Sequence, residues 1–200
     1  MAGSILSVQN KLIKQIAALK QKKYREETGR FIVEGVRVFE EALESGWKIT
    51  AAVFTDQVIN SNTRARDLYL KLQTAKDCRL VKVSNAVFAK ITDTEQPQGL
   101  MAIVEKRPFD PDNLIGQKPR PLIVVLDNLQ DPGNVGTIIR TADAAQWDAV
   151  ILTKGCADVY AGKTVRATMG SLFHIPVGEG LSYERTKEIL NRWRIPLIAT

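Results

Sequence analysis

Residues 122–126 read Leu-Ile-Val-Val-Leu, an unbroken apolar and largely β-branched run. Such a run shows no polar alternation, so it suits a central parallel strand covered on both faces rather than a half-exposed one. It ends in a polar turn holding Asp127, Asn128, Gln130 and Asp131, where Pro132 and Gly133 set the reversal. Residues 134–145 then take on helical spacing, with Asn134 as the expected N-cap. Strand, turn and helix in that order form the first half of a βαβ unit, so the chain has to fold as α/β.

Pro108, Pro111, Gly116, Pro119 and Pro121 crowd the stretch before this strand. That composition makes a semi-rigid linker. We therefore expect a domain over residues 1–106, a linker over 107–121 and a second domain over 122–200. In the first, Leu12, Ile13, Ile16 and Leu19 recur at helical spacing within a lysine-rich segment over 7–23. Strands are predicted at 31–33, 49–54, 80–83 and 99–104, and helices at 36–45, 63–75 and 85–91. The helix at 36–45 is closed by Gly46. The second domain continues past 145 with a strand at 149–153, a helical turn at 163–169, a segment at 172–177, a helix at 183–193 and a strand at 196–199.

The 200 residues are 44% hydrophobic and 25% charged, which excludes disordered and fibrous classes. No apolar run approaches the roughly 20 residues of a membrane span, and the lysine-rich N-terminus lacks a signal-peptide core, so a cytoplasmic protein is expected. Cys78 and Cys156 are too few for a disulfide framework, and with a single histidine they supply no usual zinc set. The net charge of +6 favours a polyanionic partner. Its positive residues gather early, at Lys11, Lys14, Lys20, Lys22, Lys23, Arg25 and Arg30.

Two constellations carry chemistry. Around the 127–134 turn, Gly136 lets either a backbone or a phosphate approach the first turn of the helix. Arg140, six residues after Asn134, is either a surface arginine or a bidentate phosphate clamp sharing a face with the loop. Lys163 and Arg166 lie one turn apart before Gly170 and direct two cations to one side. His174, between Phe173 and Ile175, reads as a core or interface histidine. No GxGxxG fingerprint, Walker A sequence, Ser/His/Asp set or metal motif occurs.

At these residues the sequence resembles the SpoU (TrmH-like) family of S-adenosylmethionine-dependent RNA ribose 2'-O-methyltransferases. Residues 127–144, DNLQDPGNVGTIIRTADA, look like that family's first motif, and 163–177, KTVRATMGSLFHIPV, like its second. Residues 22–35, KKYREETGRFIVEG, and 96–99, QPQG, look like its substrate-binding domain, which is similar to ribosomal proteins that bind kinked RNA. The resemblance implies a small α/β RNA-binding domain followed by a knotted SPOUT-type α/β methyltransferase domain with a parallel sheet. It implies S-adenosylmethionine as cofactor, a ribosomal or transfer RNA substrate, a homodimer whose active site uses both subunits, and no metal. Asn134 and Arg140 take the catalytic positions. Lys22, Lys23, Arg25, Arg30, Lys163 and Arg166 take RNA.

Two departures accompany the match. Ala161-Gly162 stand where many members carry Ser-Pro, and the third motif has no counterpart before Thr200. The methyltransferase domain is therefore read as truncated, with Ala199 and Thr200 at the first edge of the cofactor pocket and the 200-residue chain alone expected to be inactive. In the expected mechanism Arg140 holds the phosphate beside the ribose hydroxyl, since a guanidinium is a poor base unless its surroundings disfavour the cation. The competing reading is a non-catalytic structured-RNA-binding module whose second domain only dimerises.

Overall fold

The structure is a computed structural model that describes residues 7–111 and 120–199. It divides into two compact units, Met1–Lys106 with Tyr160–Gly162, and Arg107–Val159 with Lys163–Thr200. Both are α/β. The middle of the expected linker, residues 112–119, lies outside the described residues, as does Thr200.

The first unit holds α1 (Lys11–Ala18), α2 (Lys22–Thr28), β1 (Arg30–Glu34), α3 (Val36–Glu44), β2 (Ile49–Thr55), α4 (Asp56–Ser61), α5 (Thr63–Gln73), β3 (Arg79–Val83), α6 (Asn85–Ile91) and β4 (Leu100–Glu105). Its four strands run in the order β1-β4-β2-β3; β2 and β3 are parallel, while β4 is antiparallel to both β1 and β2. Alternate residues of β2 serve opposite faces. Ala51 and Val53 join Ile13, Ile16, Val83, Phe88 and Met101 in one cluster. Phe54 faces the other way, against Phe39 and Tyr69. Each fully buried side chain of this kind is worth about 1.5–3 kcal/mol, which is why a sheet covered on both sides tolerates no register slip.

The long N-terminal helix predicted over 7–23 is two helices, α1 and α2. No Gly or Pro marks the break. Instead the guanidinium of Arg25 donates to the Leu19 and Lys20 carbonyls at 2.8 and 2.7 Å and satisfies the end of α1 from outside its axis. Gly46 does close α3: its φ is +66°, and Trp47 N–H donates to the Ala42 carbonyl at 3.0 Å.

The second unit contains β5 (Ile123–Leu126), α7 (Pro132–Ala144), β6 (Ala149–Thr153), α8 (Gly162–Ala167), a 3₁₀ turn at Ser171–Phe173, β7 (Val177–Leu181) and α9 (Tyr183–Arg192). The three strands are parallel, in the order β5-β6-β7. The expectation of a parallel sheet is met, but the third strand falls where none was placed. Two glycines give β7 low strand propensity. Gly178 is required nonetheless, because a Cβ there would stand 2.6 Å from the Phe109 ring. Residues 196–199, predicted as a strand, have no strand pairing here, and Leu197 and Ile198 are exposed.

Candidate functional site

Parallel strands deliver their loops to one edge, and the carboxyl ends of β5 and β6 carry loops that are bonded to each other. The Thr153 hydroxyl donates to the Asp127 carboxylate at 2.7 Å and accepts from the Asn128 N–H at 3.2 Å. The Cys156 thiol accepts from the Leu129 N–H and donates to the Leu126 carbonyl, both at 3.2 Å. Asn128 takes a left-handed φ of +51°, and Gly155 is glycine because a Cβ would run into the Asn128 side chain. Thr153 belongs to no recognisable motif, and Cys156, which the sequence marks only as one of two cysteines, acts here as a hydrogen-bonding group. They fix the turn that leads into α7.

Asp131, not Asn134, caps α7: its carboxylate accepts from the Asn134 N–H at 2.7 Å. Pro132 occupies the first helical position, so the N-cap lies three residues before the expected Asn134. Asn134 is thereby on the first turn with its side chain exposed. At 3.6 residues per turn, Asn134 and Arg140 project roughly 120° apart, so they do not share a face.

Of the two approaches open to Gly136, the structure realises the backbone one. A Cβ at 136 would collide with Ala167, reaching its carbonyl carbon at 2.8 Å and the Thr168 nitrogen at 3.0 Å. This contact brings α7 against α8. Arg140, one turn beyond Gly136 on an exposed position, and Lys163 and Arg166 of α8 are thus carried on two touching helices. None of the three has an ion-pair partner among the described residues. Buried Thr164 steadies α8 by donating to the Asp158 carbonyl at 2.8 Å.

The N-terminal basic segment is less uniform than its sequence. Arg25 is 4% exposed and committed to the α1 carbonyls, so it is a structural residue and leaves the expected RNA-facing set. Lys20 pairs with Asp93 at 3.0 Å and donates to the Thr92 carbonyl at 2.8 Å. Lys22 and Lys23 remain exposed and make only loose pairs with Glu26 and Glu27, at 3.8 and 3.9 Å. Arg30 meets Glu105 at 3.3 Å, and the Lys48 ammonium, then Arg30, holds the Glu105 carboxyl below its ordinary range.

A second network ties the 22–35 stretch to the loop that carries QPQG. Buried Glu34 accepts from the Thr92 and Thr94 hydroxyls at 2.6 and 2.5 Å, and Gln98 Oε1 accepts from the Val36 N–H at 2.9 Å. The β1–α3 turn and the loop over 92–99 therefore hold each other.

His174 is at the surface, not in the core, and its Nδ1 lies 3.2 Å from the Asp143 carboxylate. Ala199 is exposed. Among the described residues no group of three or more His, Cys, Asp or Glu could hold a metal ion, and no helix is long and apolar enough to cross a membrane.

Residues 10–102 match the MRM3-like substrate binding domain, and residues 121–200 match the SpoU rRNA Methylase family. Over 173 residues the chain is 38% identical to the 23S rRNA (guanosine(2553)-2'-O)-methyltransferase RlmP of Bacillus subtilis, covering 86% of this chain and 63% of that protein. The chain thus spans less than two thirds of that relative. It is 34% identical to an uncharacterized tRNA/rRNA methyltransferase of Synechocystis, covering 99% of this chain and 70% of the other. The crystal structure of the SpoU methyltransferase AviRb from Streptomyces viridochromogenes, in complex with the cofactor AdoMet, superposes with a TM-score of 0.82. That match has 30% identity and covers 93% of this chain and 69% of AviRb.

Proposed function

The chain belongs to the SpoU rRNA methylase family, and from that premise we propose that it binds RNA and positions a ribose for S-adenosylmethionine-dependent 2'-O-methylation. Ribosomal RNA is the favoured substrate class, because the Bacillus relative is named for a 23S rRNA reaction. The observation that carries the reading is the contact of α7 and α8, which sets Arg140, Lys163 and Arg166, all without ion-pair partners among the described residues, on adjoining helices.

Bound S-adenosylmethionine would supply an electrophilic methyl group on a sulfonium. Of the residues assigned to it, Ala199 is exposed and Thr200 lies outside the described residues. An exposed alanine side chain offers a bound donor no enclosing surface. What the chain's own residues do is align and stabilise. In-line displacement gains rate from alignment, and a ribose hydroxyl is a very weak acid whose alkoxide needs nearby positive charge. Arg140 serves by gripping the phosphate next to the target ribose, with Lys163 and Arg166 on the flanking phosphates. Asn134 orients the ribose from the first turn of α7. The loops bonded through Thr153 and Cys156 keep α7 at a fixed angle to the sheet edge, which is where reacting groups gather in parallel folds.

We assign to the same protein a trefoil-knotted catalytic domain, a homodimer with an active site shared between subunits, and a cytoplasmic location beside its RNA. Sedimentation equilibrium of the protein made from its whole reading frame tests the dimer. The activity is tested by transfer of tritiated methyl groups to ribosomal RNA, followed by alkaline hydrolysis. A 2'-O-methyl ribose leaves an alkali-resistant dinucleotide, whereas label on a base, or no label, overturns the reading.

A further inference from the structure

The first unit contains a cavity of about 290 Å³ that the catalytic reading does not use. It opens where the parallel strands β2 and β3 end, between α4, α6 and the loop over 92–99, the edge at which such sheets receive ligands. Its size sits at the lower end of small-ligand sites, roughly 300–1,000 Å³, which suits one planar ring system.

The lining is chemically specific. Gln57, Asn85 and Gln98 bring three carboxamides to it, over an apolar base of Val58 and Phe88 that is almost fully buried. Among the described residues no cation or carboxylate lines it, so a phosphate or an ammonium group finds no counter-charge in that lining. Carboxamides offer donor and acceptor side by side, the complement of a nucleobase edge. They are already organised. Asn85 Nδ2 donates to Gln57 Oε1 at 2.6 Å, and Gln98 Oε1 is engaged by the Val36 N–H, which leaves the Gln98 NH₂ to donate.

The space itself is maintained by Gly99. Its φ is +82°, and a Cβ would stand 2.5 Å from the Thr55 hydroxyl and 3.3 Å from Val58 Cβ. The Gly99 carbonyl accepts from the Thr55 N–H at 2.8 Å, so the loop is fastened to the floor of the cavity. The same loop is held at its start by Glu34 through Thr92 and Thr94. Lys20 binds the Thr92 carbonyl and Asp93, which joins the loop to the head of the basic segment carrying Lys22 and Lys23.

We propose that this cavity receives a single unstacked nucleobase of the RNA, read by Gln57, Asn85 and Gln98, while Lys22 and Lys23 hold neighbouring phosphates. The proposal rests on the RNA-binding reading above and gives the first unit a base preference that charge alone does not provide. RNA recognition by sequence works through bases splayed out of bulges and loops, so a one-nucleotide bulge is the simplest ligand.

The test uses the 200-residue chain and fluorescein-labelled RNA hairpins that differ only in a one-nucleotide bulge: A, C, G, U or an abasic residue. Fluorescence anisotropy at fixed salt should show at least one base bulge binding about tenfold tighter than the abasic hairpin. Ala89→Phe, at the exposed rim of the cavity, should erase that difference and leave abasic affinity unchanged. Gln57→Ala and Asn85→Ala should each reduce it, and Lys22→Gln with Lys23→Gln should weaken all five hairpins equally. Equal affinity for base and abasic bulges, or a preference that survives Ala89→Phe, overturns the base pocket alone. Binding of no hairpin at all overturns the RNA reading and the pocket with it. Competition by free nucleosides as strong as that by the hairpins makes the cavity a small-molecule site and overturns the proposal.

Discussion

In the first unit, Leu100 to Val104 of β4 are all buried, whereas in the second unit the most hydrophobic strand, β5, fully buries only Leu126. β4 has a strand on either side and helices over both faces; β5 is paired only with β6 among the described residues. Leu122 is 54% exposed and Ile198 80% exposed in the second unit. The cations differ in the same sense. Lys20, Arg25, Arg30, Arg64 and Lys82 of the first unit are bonded or paired, while Arg140, Lys163 and Arg166 of the second are uncommitted among the described residues. Each unit nonetheless presents cations outward: the first through Lys22 and Lys23, which make only loose pairs, the second through Arg140, Lys163 and Arg166 on touching helices.

The largest expected effect is on Arg140, and it would break this contrast if absent. In the protein made from its whole reading frame, Arg140→Ala should lower kcat about 100- to 1000-fold, roughly 3–4 kcal/mol, with little change in RNA affinity, as single-turnover methylation would read. Arg140→Lys should be poorly tolerated too, because lysine lacks the planar fork. Next is Gly136→Ala, which drives a methyl group into Ala167 and the backbone beyond it. We expect a loss of about 1–3 kcal/mol in thermal unfolding monitored by Trp147, with the first unit's transition unmoved.

Arg25→Ala should destabilise the first unit by about 1–3 kcal/mol, since one buried and one part-buried carbonyl lose their donor; a change confined to RNA binding would restore Arg25 to the recognition surface. Lys22→Gln with Lys23→Gln should leave stability alone and reduce the slope of log affinity against log salt by about 1.4–1.8. The smallest effect concerns Glu105. Its carboxyl is held below the ordinary value of 4.5 by Lys48 and Arg30, so its ion pairs stabilise the fold above that pH and are lost as pH falls through the lowered value. Glu105→Gln should therefore cost a little stability at pH 7 and progressively less as pH falls through the lowered value, as acid titrations of the two forms would show.

Periodicity revealed the strands of both units because each is apolar and β-branched, except β7, where two glycines hide the strand and one of them, Gly178, packs against the ring of Phe109. The break between α1 and α2 was hidden for a different reason: it is made by a guanidinium arriving from a later residue, and no local signal announces a partner five or six positions away. The motif residues Asn134, Arg140, Lys163 and Arg166 were legible as residues but not as geometry. Only the collision at Gly136 shows that their helices touch, and only the cap at Asp131 shows that Asn134 and Arg140 point apart. Glu34, Thr153 and Cys156 act through partners on distant loops, so periodicity and spacing could not have found them.

The strand order β1-β4-β2-β3 has a consequence for how the first unit comes into being during synthesis. β2 and β3 can pair as soon as both have left the ribosome, but β1, the first strand of this unit, borders only β4, its last, among the described residues. Until residues 100–105 emerge, β1 has no strand partner, although Phe31 can already meet Trp47. Folding of this unit is therefore a late, long-range closure rather than a progressive growth.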